Sequence, residues 1–95
     1  MKHIIVIPVY NDWRSLNKLI SKLNSVLIKD KKVRNEILIV NDNSPEEVQI
    51  NSKNLKSIKK IKIIFLKKNI GSQKAIAIGL DYLKKIKENF FITVM

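Results

Sequence analysis

Short β-branched apolar runs constrain this chain more than any other feature. The first is Ile4, Ile5, Val6 and Ile7. It is too brief for a buried helix and suits a strand covered on both faces. Pro8 follows, with no N–H to donate, and is expected to stop the ladder there. Next come Tyr10, Asn11 and Asp12, an aromatic with a polar tip, an amide and a carboxylate. A buried strand that releases a polar loop at its C-terminal end is where open α/β sheets place their ligands.

Three further runs repeat the pattern, predicting strands at residues 36–40, 61–66 and 90–95. Between the first two, Leu16, Leu19, Ile20, Leu23, Val26 and Leu27 recur at helical spacing, predicting a helix from Trp13 to about Lys29 with Asp12 as its N-cap. Residues 30–35 form a charged turn. The second strand ends in Asn41-Asp42-Asn43-Ser44-Pro45, a dense cluster of turn formers. Ser44, Pro45, Glu46 and Glu47 read as the cap and first turn of a weaker helix to about residue 57, carried by Val48, Ile50 and Leu55. After a loop at 67–72, a helix to about Lys87 presents Ile76, Gly79, Leu80, Leu83 and Ile86 on one side. The small Ala75, Ala77 and Gly79 let it lie close to a strand. The predicted order is β-α-β-α-β-α-β. Right-handed crossovers then give a Rossmann-like parallel α/β sheet in strand order 3-2-1-4. The loops at 8–12 and 41–44 converge at the strand ends, with 67–72 on the flank.

Ninety-five residues make one small domain or part of a larger one. With 45% hydrophobic and 28% charged residues the chain is globular rather than disordered. The absence of cysteine excludes disulfides and thiolate metal sites. No signal-peptide core and no window approaching a membrane helix is present. The formal charge is +11, almost all lysine, with Arg14 and Arg34 the only arginines. It is spread along the chain and reads as solvated lysine faces rather than a nucleic-acid site, leaving contact with acidic phospholipid open. His3 reads as a structural strand residue and Trp13 as core. Neither a Walker A loop nor a Gly-x-Gly-x-x-Gly fingerprint occurs.

The strand ends carry Ile7-Pro8-Val9-Tyr10-Asn11-Asp12, Val40-Asn41-Asp42-Asn43-Ser44 and Asn69-Ile70-Gly71-Ser72-Gln73-Lys74-Ala75. In these motifs the chain resembles the family 2 nucleotide-diphospho-sugar glycosyltransferases of GT-A fold. The third motif looks most like the polyprenyl-phosphate sugar transferase branch. The resemblance covers essentially the whole chain. It implies that Pro8 and Val9 set the backbone against the base and that Tyr10 offers its ring and hydroxyl to base or ribose. Asp12 matches an acidic nucleotide contact, and Asp42 the carboxylate that accepts from the base ring N–H. Lys68 stands where an arginine is frequent, a point charge toward the phosphates, and Gly71 lets the backbone approach at the helix start.

In the family the fourth strand runs into an Asp-x-Asp motif that holds Mg²⁺ or Mn²⁺ on the diphosphate. The chain reaches Met95 about where that motif would begin. The expectation is therefore that residues 1–95 are the nucleotide-sugar-binding half of a transferase domain, inactive alone and holding neither catalytic nor metal-binding carboxylates. The complete protein would transfer sugar to a polyprenyl-phosphate, other lipid-linked or cell-envelope glycan acceptor, in the cytoplasm or at the inner face of the membrane. Two alternatives stand beside this: an inactive nucleotide-binding module, and a basic nucleic-acid or membrane-surface protein. An open fourth-strand edge also predicts self-association and marginal stability.

Overall fold

Strands form where the apolar runs predict them: the first two extend beyond their apolar cores, the third starts earlier, at Ile58, and stops at Phe65, and the fourth stops at Val94, one residue short of the expected end. The computed structural model describes residues 1–27 and 32–95. Its elements are β1 (Lys2–Val9), α1 (Trp13–Val26), β2 (Arg34–Asn41), β3 (Ile58–Phe65), α2 (Ser72–Leu83) and β4 (Phe90–Val94). All strand pairs are parallel and the order is β3-β2-β1-β4. The anticipated class and strand order are therefore those of the molecule.

Alternation along the two central strands divides the core into two layers. Ile5, Ile7, Val9, Ile37 and Ile39 meet Trp13, Leu16, Ile20 and Leu23 of α1 on one face. Ile4, Val6, Leu38 and Val40 meet Ala75 and Leu83 of α2 on the other. Each fully buried aliphatic side chain here contributes about 1.5–3 kcal/mol. Trp13 is core, as expected. Val26 is exposed, because it lies about 90° round the helix from the buried line Leu16-Ile20-Leu23. On α2, Ala77 likewise faces outward while Ala75 and Gly79 face the sheet. The expected end of α1, at Ile28 and Lys29, and part of the charged turn lie outside the described residues; α2 stops at Leu83, short of Lys87.

Pro8 does not end the first strand. It is an in-register partner of Val40, and hydrogen-bond phase explains why it is tolerated. In a parallel strand each residue sends its N–H and C=O to the same side. The Lys2 amide bonds the Asn89 carbonyl and the Val6 carbonyl accepts from Met95, whereas the Val9 carbonyl accepts from Asp42. Even-numbered residues of β1 thus face β4, whose pairing ends at Val6↔Val94. The missing N–H of Pro8 falls beyond that pairing and costs no ladder bond.

The helix anticipated between the second and third strands does not form, so among the described residues two helices connect the sheet where three were expected. Residues 46–57 are an irregular crossover. Val48, Ile50 and Leu55 do pack on the α1 layer, but α1 holds the segment by its backbone. The Asn17 side chain donates to the Gln49 carbonyl at 2.6 Å and accepts from the Asn51 amide at 2.8 Å. Two turns along, Asn24 accepts from the Ser57 amide at 2.8 Å. Each bond satisfies a crossover backbone group that a helix would have satisfied internally. Asn54, at φ 61°, is also incompatible with a helix.

His3 is structural. Its ring lies between Asn35 (3.0 Å) and Thr93 (2.8 Å) and stacks on Phe91 at 4.4 Å, tying β2, β1 and β4 together.

Candidate functional site

Val9, Asn41 and Phe65 are in register, so the loops after β1, β2 and β3 leave the sheet at one level. The ladder continues one step into them: the Asp42 amide bonds the Val9 carbonyl at 2.8 Å, and the Leu66 amide the Asn41 carbonyl at 3.0 Å. Beyond this point side chains take over.

The first and second loops are joined through Asn11. Its amide donates to Ser44 Oγ at 2.7 Å, and its Oδ1 accepts from the Glu46 amide at 3.0 Å. Ser44 is therefore a bridge between loops rather than the cap of a second helix. The buried Asn41 accepts from the Ser44 amide through Oδ1 at 3.0 Å. Asn11 and Asn43 both adopt positive φ, 51° and 58°, a region asparagine enters more readily than most residues. Asn11→Ala loses the Oδ1 bond and raises the backbone cost, so it should destabilise the chain by about 1–2 kcal/mol in urea unfolding. Asn11→Gly, which keeps the backbone but not the bond, should recover part of that loss.

The second and third loops are joined through Asp42, which is 3% exposed. Its Oδ1 accepts from the Ile70 amide at 2.8 Å, and its Oδ2 from the Gly71 amide at 2.9 Å and Asn69 Nδ2 at 3.0 Å. Asn69 Nδ2 also reaches the Asp42 carbonyl at 3.2 Å. The carboxylate thus stands at the N-terminus of α2, the end where the helix dipole favours negative charge. An ionised carboxylate has about four acceptor positions; with three used, one on Oδ1 is left. Gly71 sits at φ 90°, and a Cβ built there meets nothing within 4 Å. Its glycine is required by conformation rather than by crowding.

The remaining predicted residues are distributed as follows. Tyr10 is 53% exposed at the tip of the first loop. With Pro8, Asp12, Ser15, Leu16, Leu19 and Met95 it lines a groove of about 370 Å³. Val9 belongs to the α1 core layer, so what it offers a ligand above the sheet is chiefly backbone. Asp12 accepts from the Ser15 amide at 3.2 Å and caps α1. The Ser15 hydrogen bonds, helped by Arg14 and Lys18, hold its carboxyl below the ordinary aspartate value. The folded value lies below the unfolded one, so the cap contributes fully above the unfolded value and is lost as pH falls through the folded one. Lys68 is exposed and among the described residues pairs with no carboxylate. Asn11, Asn41 and Asn69 were not among the expected site residues; their signal was their place in the three strand-end motifs, directly after the strands.

Among the described residues no group of three or more His, Cys, Asp or Glu side chains converges. They do not by themselves cage the divalent ion that the resemblance implies.

Comparison with known proteins matches residues 4–94 to the family described as glycosyl transferase family 2. An uncharacterized glycosyltransferase of Synechocystis, sll0501, is 36% identical over 85 residues, covering 82% of this chain and 24% of that protein. The uncharacterized glycosyltransferase YkcC of Bacillus subtilis is 32% identical over 83 residues, covering 86% of this chain and 25% of that protein. The chain thus spans about a quarter of the length of these relatives.

Proposed function

Because the chain belongs to glycosyl transferase family 2, we propose that its three linked loops bind the nucleotide of a nucleotide-diphosphate sugar for a glycosyltransferase-like function. The observation that carries this reading is the cross-bonding itself. Asn11 with Ser44, and Asp42 with Ile70 and Gly71, turn three separate strand ends into one preorganised surface. On it Tyr10 supplies a π-face and a hydroxyl to base or ribose. The acceptor position left on Asp42 Oδ1 takes the base ring N–H. Asp12 contacts the nucleotide from the groove, Pro8 and Val9 wall the base with backbone, and Lys68 sends a point charge toward the phosphates. Gly71 keeps the third loop low beside them.

In the complete protein Mg²⁺ or Mn²⁺ would stabilise charge on the departing diphosphate, with ligands from beyond this set of residues. We assign the acceptor to the lipid-linked or cell-envelope class, polyprenyl-phosphate included, and the location to the cytoplasm or the inner membrane face. The motif around Gly71 and the exposed lysines, able to meet acidic phospholipid, support that assignment. The second reading, a nucleotide-binding module that transfers nothing, shares the same loops.

Calorimetric titration of the 95-residue chain with uridine, guanosine, cytidine, adenosine and thymidine diphosphates tests the proposal. One of them should bind, and Tyr10→Ala should weaken it about 10-fold, the lower range of a base–aromatic stack. Lys68→Glu should weaken it at low salt more than at high salt. Absence of binding to all five, or affinity indifferent to Tyr10, contradicts it.

A further inference from the structure

Helix α2 meets the sheet closely over part of its length and leaves a space beneath its end. From Ala75 to Gly79 its residues are small, and a Cβ at Gly79 would already press on Val6 and Val40. Past that point come the larger Tyr82 and Leu83, then Ile86. Under these three lies a cavity of about 310 Å³, floored by Ile4 and Leu38 of the central strands. Its whole lining comes from residues 2–86, through the packing of α2 on β1, β2 and β3. It sits over the starting halves of those strands, away from the linked loops that follow them.

The sheet face under this end of α2 is not apolar throughout. In register, Ile4 is followed across the sheet by Glu36 and Lys60, and Val6 by Leu38 and Lys62. A parallel sheet covered by helices ordinarily reads apolar in every strand. β3 obeys that rule on its other side, where Ile61 and Ile63 pack on the α1 layer. On the α2 side it lines the cavity with Lys60 and Lys62, and Lys85 joins them from the turn after the helix.

These three lysines are not spent on carboxylates. Glu36 is the one acid of the lining, and Arg34 at 2.9 Å and Lys2 at 3.8 Å already neutralise it. The Lys2 and Glu36 side chains are only 11% and 13% exposed, so that pair is a settled part of the wall. Lys60, Lys62 and Lys85 pair with no carboxylate among the described residues; the Lys62 ammonium stands 4.8 Å from the centre of the Tyr82 ring. Nor do the carbonyls ending α2 cancel their charge. Those of Asp81, Tyr82 and Leu83 accept from the amides of Lys84, Lys85 and Ile86.

We propose that this cavity binds a small amphipathic anion, a carboxylate or phosphate head on an aliphatic body. Lys60, Lys62 and Lys85 hold the head, and the body lies between Leu83 and Ile86 above and Ile4 and Leu38 below. Apolar walls with a few convergent polar groups are the make-up of ligand pockets, and the volume falls at the small end of their roughly 300–1,000 Å³. Glu36 sets the direction, since its carboxylate repels an anion and keeps the head on the β3 side. Lysine ammoniums, with rotating donors, suit either head, and between apolar walls their attraction is stronger than at an open surface.

Calorimetric titration of the 95-residue chain with decanoate and with decyl phosphate, each below its micelle-forming concentration, is the test. At least one should bind at a single site, and the stronger identifies the head. Decanol, which lacks the charge, and inorganic phosphate, which lacks the body, should not bind measurably. Replacing both Lys60→Gln and Lys62→Gln should weaken binding at least 10-fold. Lys53→Gln with Lys56→Gln, the same charge change at exposed positions off the cavity, should leave affinity within about 2-fold of the parent. Ile86→Trp, which fills the space and keeps every lysine, should also block binding; circular dichroism checks that the variants remain folded. No binding of either anion, equal binding of decanol, or an equal loss from the distant lysine pair would overturn the proposal. Nucleotide enters none of these readouts, so they stand apart from the reading of the loops.

Discussion

Replacing Asp42 by Ala is expected to cost about 3–5 kcal/mol of stability and to abolish nucleotide binding. The carboxylate is buried and receives the Ile70 amide, the Gly71 amide and Asn69 Nδ2. Hydrogen bonds to a charged group contribute about 1.5–3 kcal/mol each, and their removal strands the donors. The three act as a unit, so their loss is less than additive. Against the roughly 5–15 kcal/mol total stability of a small domain, that loss brings the variant near unfolding at ordinary temperature. Asp42→Asn separates the two effects. It keeps the shape and one acceptor, but its amide group must face either the Ile70 or the Gly71 N–H. It should fold with an intermediate loss in urea unfolding while the third loop loosens and binding weakens at least 10-fold. Full stability in Asp42→Ala would mean that the loops are not held as the hydrogen bonds indicate.

Filling Gly79 is expected to disturb the other layer in proportion to the volume added. A Cβ there would lie 2.9 Å from Val40 Cγ2 and 3.1 Å from Val6 Cγ1. Both valines are fully buried on the central strands, and β-branched side chains have little rotamer freedom with which to retreat. Alanine gains about 1 kcal/mol in helix propensity over glycine, but overpacking costs about 1–3 kcal/mol. Gly79→Ala should therefore lower the melting temperature by a few degrees. Gly79→Val, which adds two more methyl groups to the same gap, should lose about 3 kcal/mol or more. Gly71→Ala is an instructive contrast, since space is open there and the backbone at φ 90° is what resists. A thermal melt unchanged in Gly79→Val would show that α2 can lift off β1 and β2 freely.

These two residues also show what could be read from the chain beforehand. The strands were legible because short runs rich in β-branched and aromatic residues leave little choice but a sheet, and their order because right-handed crossovers constrain it. Gly79 was legible as a close approach from its small neighbours, though Ala77 beside it faces solvent. The irregular crossover at 46–57 was not legible. Its Val48, Ile50 and Leu55 mimic a helical stripe, and the competing bonds come from Asn17 and Asn24, some 30 residues away in sequence. Pro8 was misread for a related reason. Whether a proline breaks a ladder depends on which side its missing N–H faces, and that requires the register of both neighbouring strands.

For the site, the loops were legible as strand ends and their linkage was not. Asn11 to Ser44 and Asp42 to Gly71 depend on strand register and on positive φ at Asn11. Family membership follows both from the motifs and from the match over residues 4–94. Roles for Tyr10, Asp12, Asp42 and Lys68, and an acceptor of the lipid-linked class, are the proposals that membership invites.

The central claim is that the three linked loops form one nucleotide surface. Titrating the ¹⁵N-labelled chain with uridine and guanosine diphosphates while recording amide spectra tests it most directly. The account predicts saturable shifts confined to Tyr10 through Asp12, Asp42 through Ser44 and Lys68 through Gly71, moving together with one apparent affinity. Shifts scattered over the lysine-rich strand β3, or these loops silent while others respond, would contradict it.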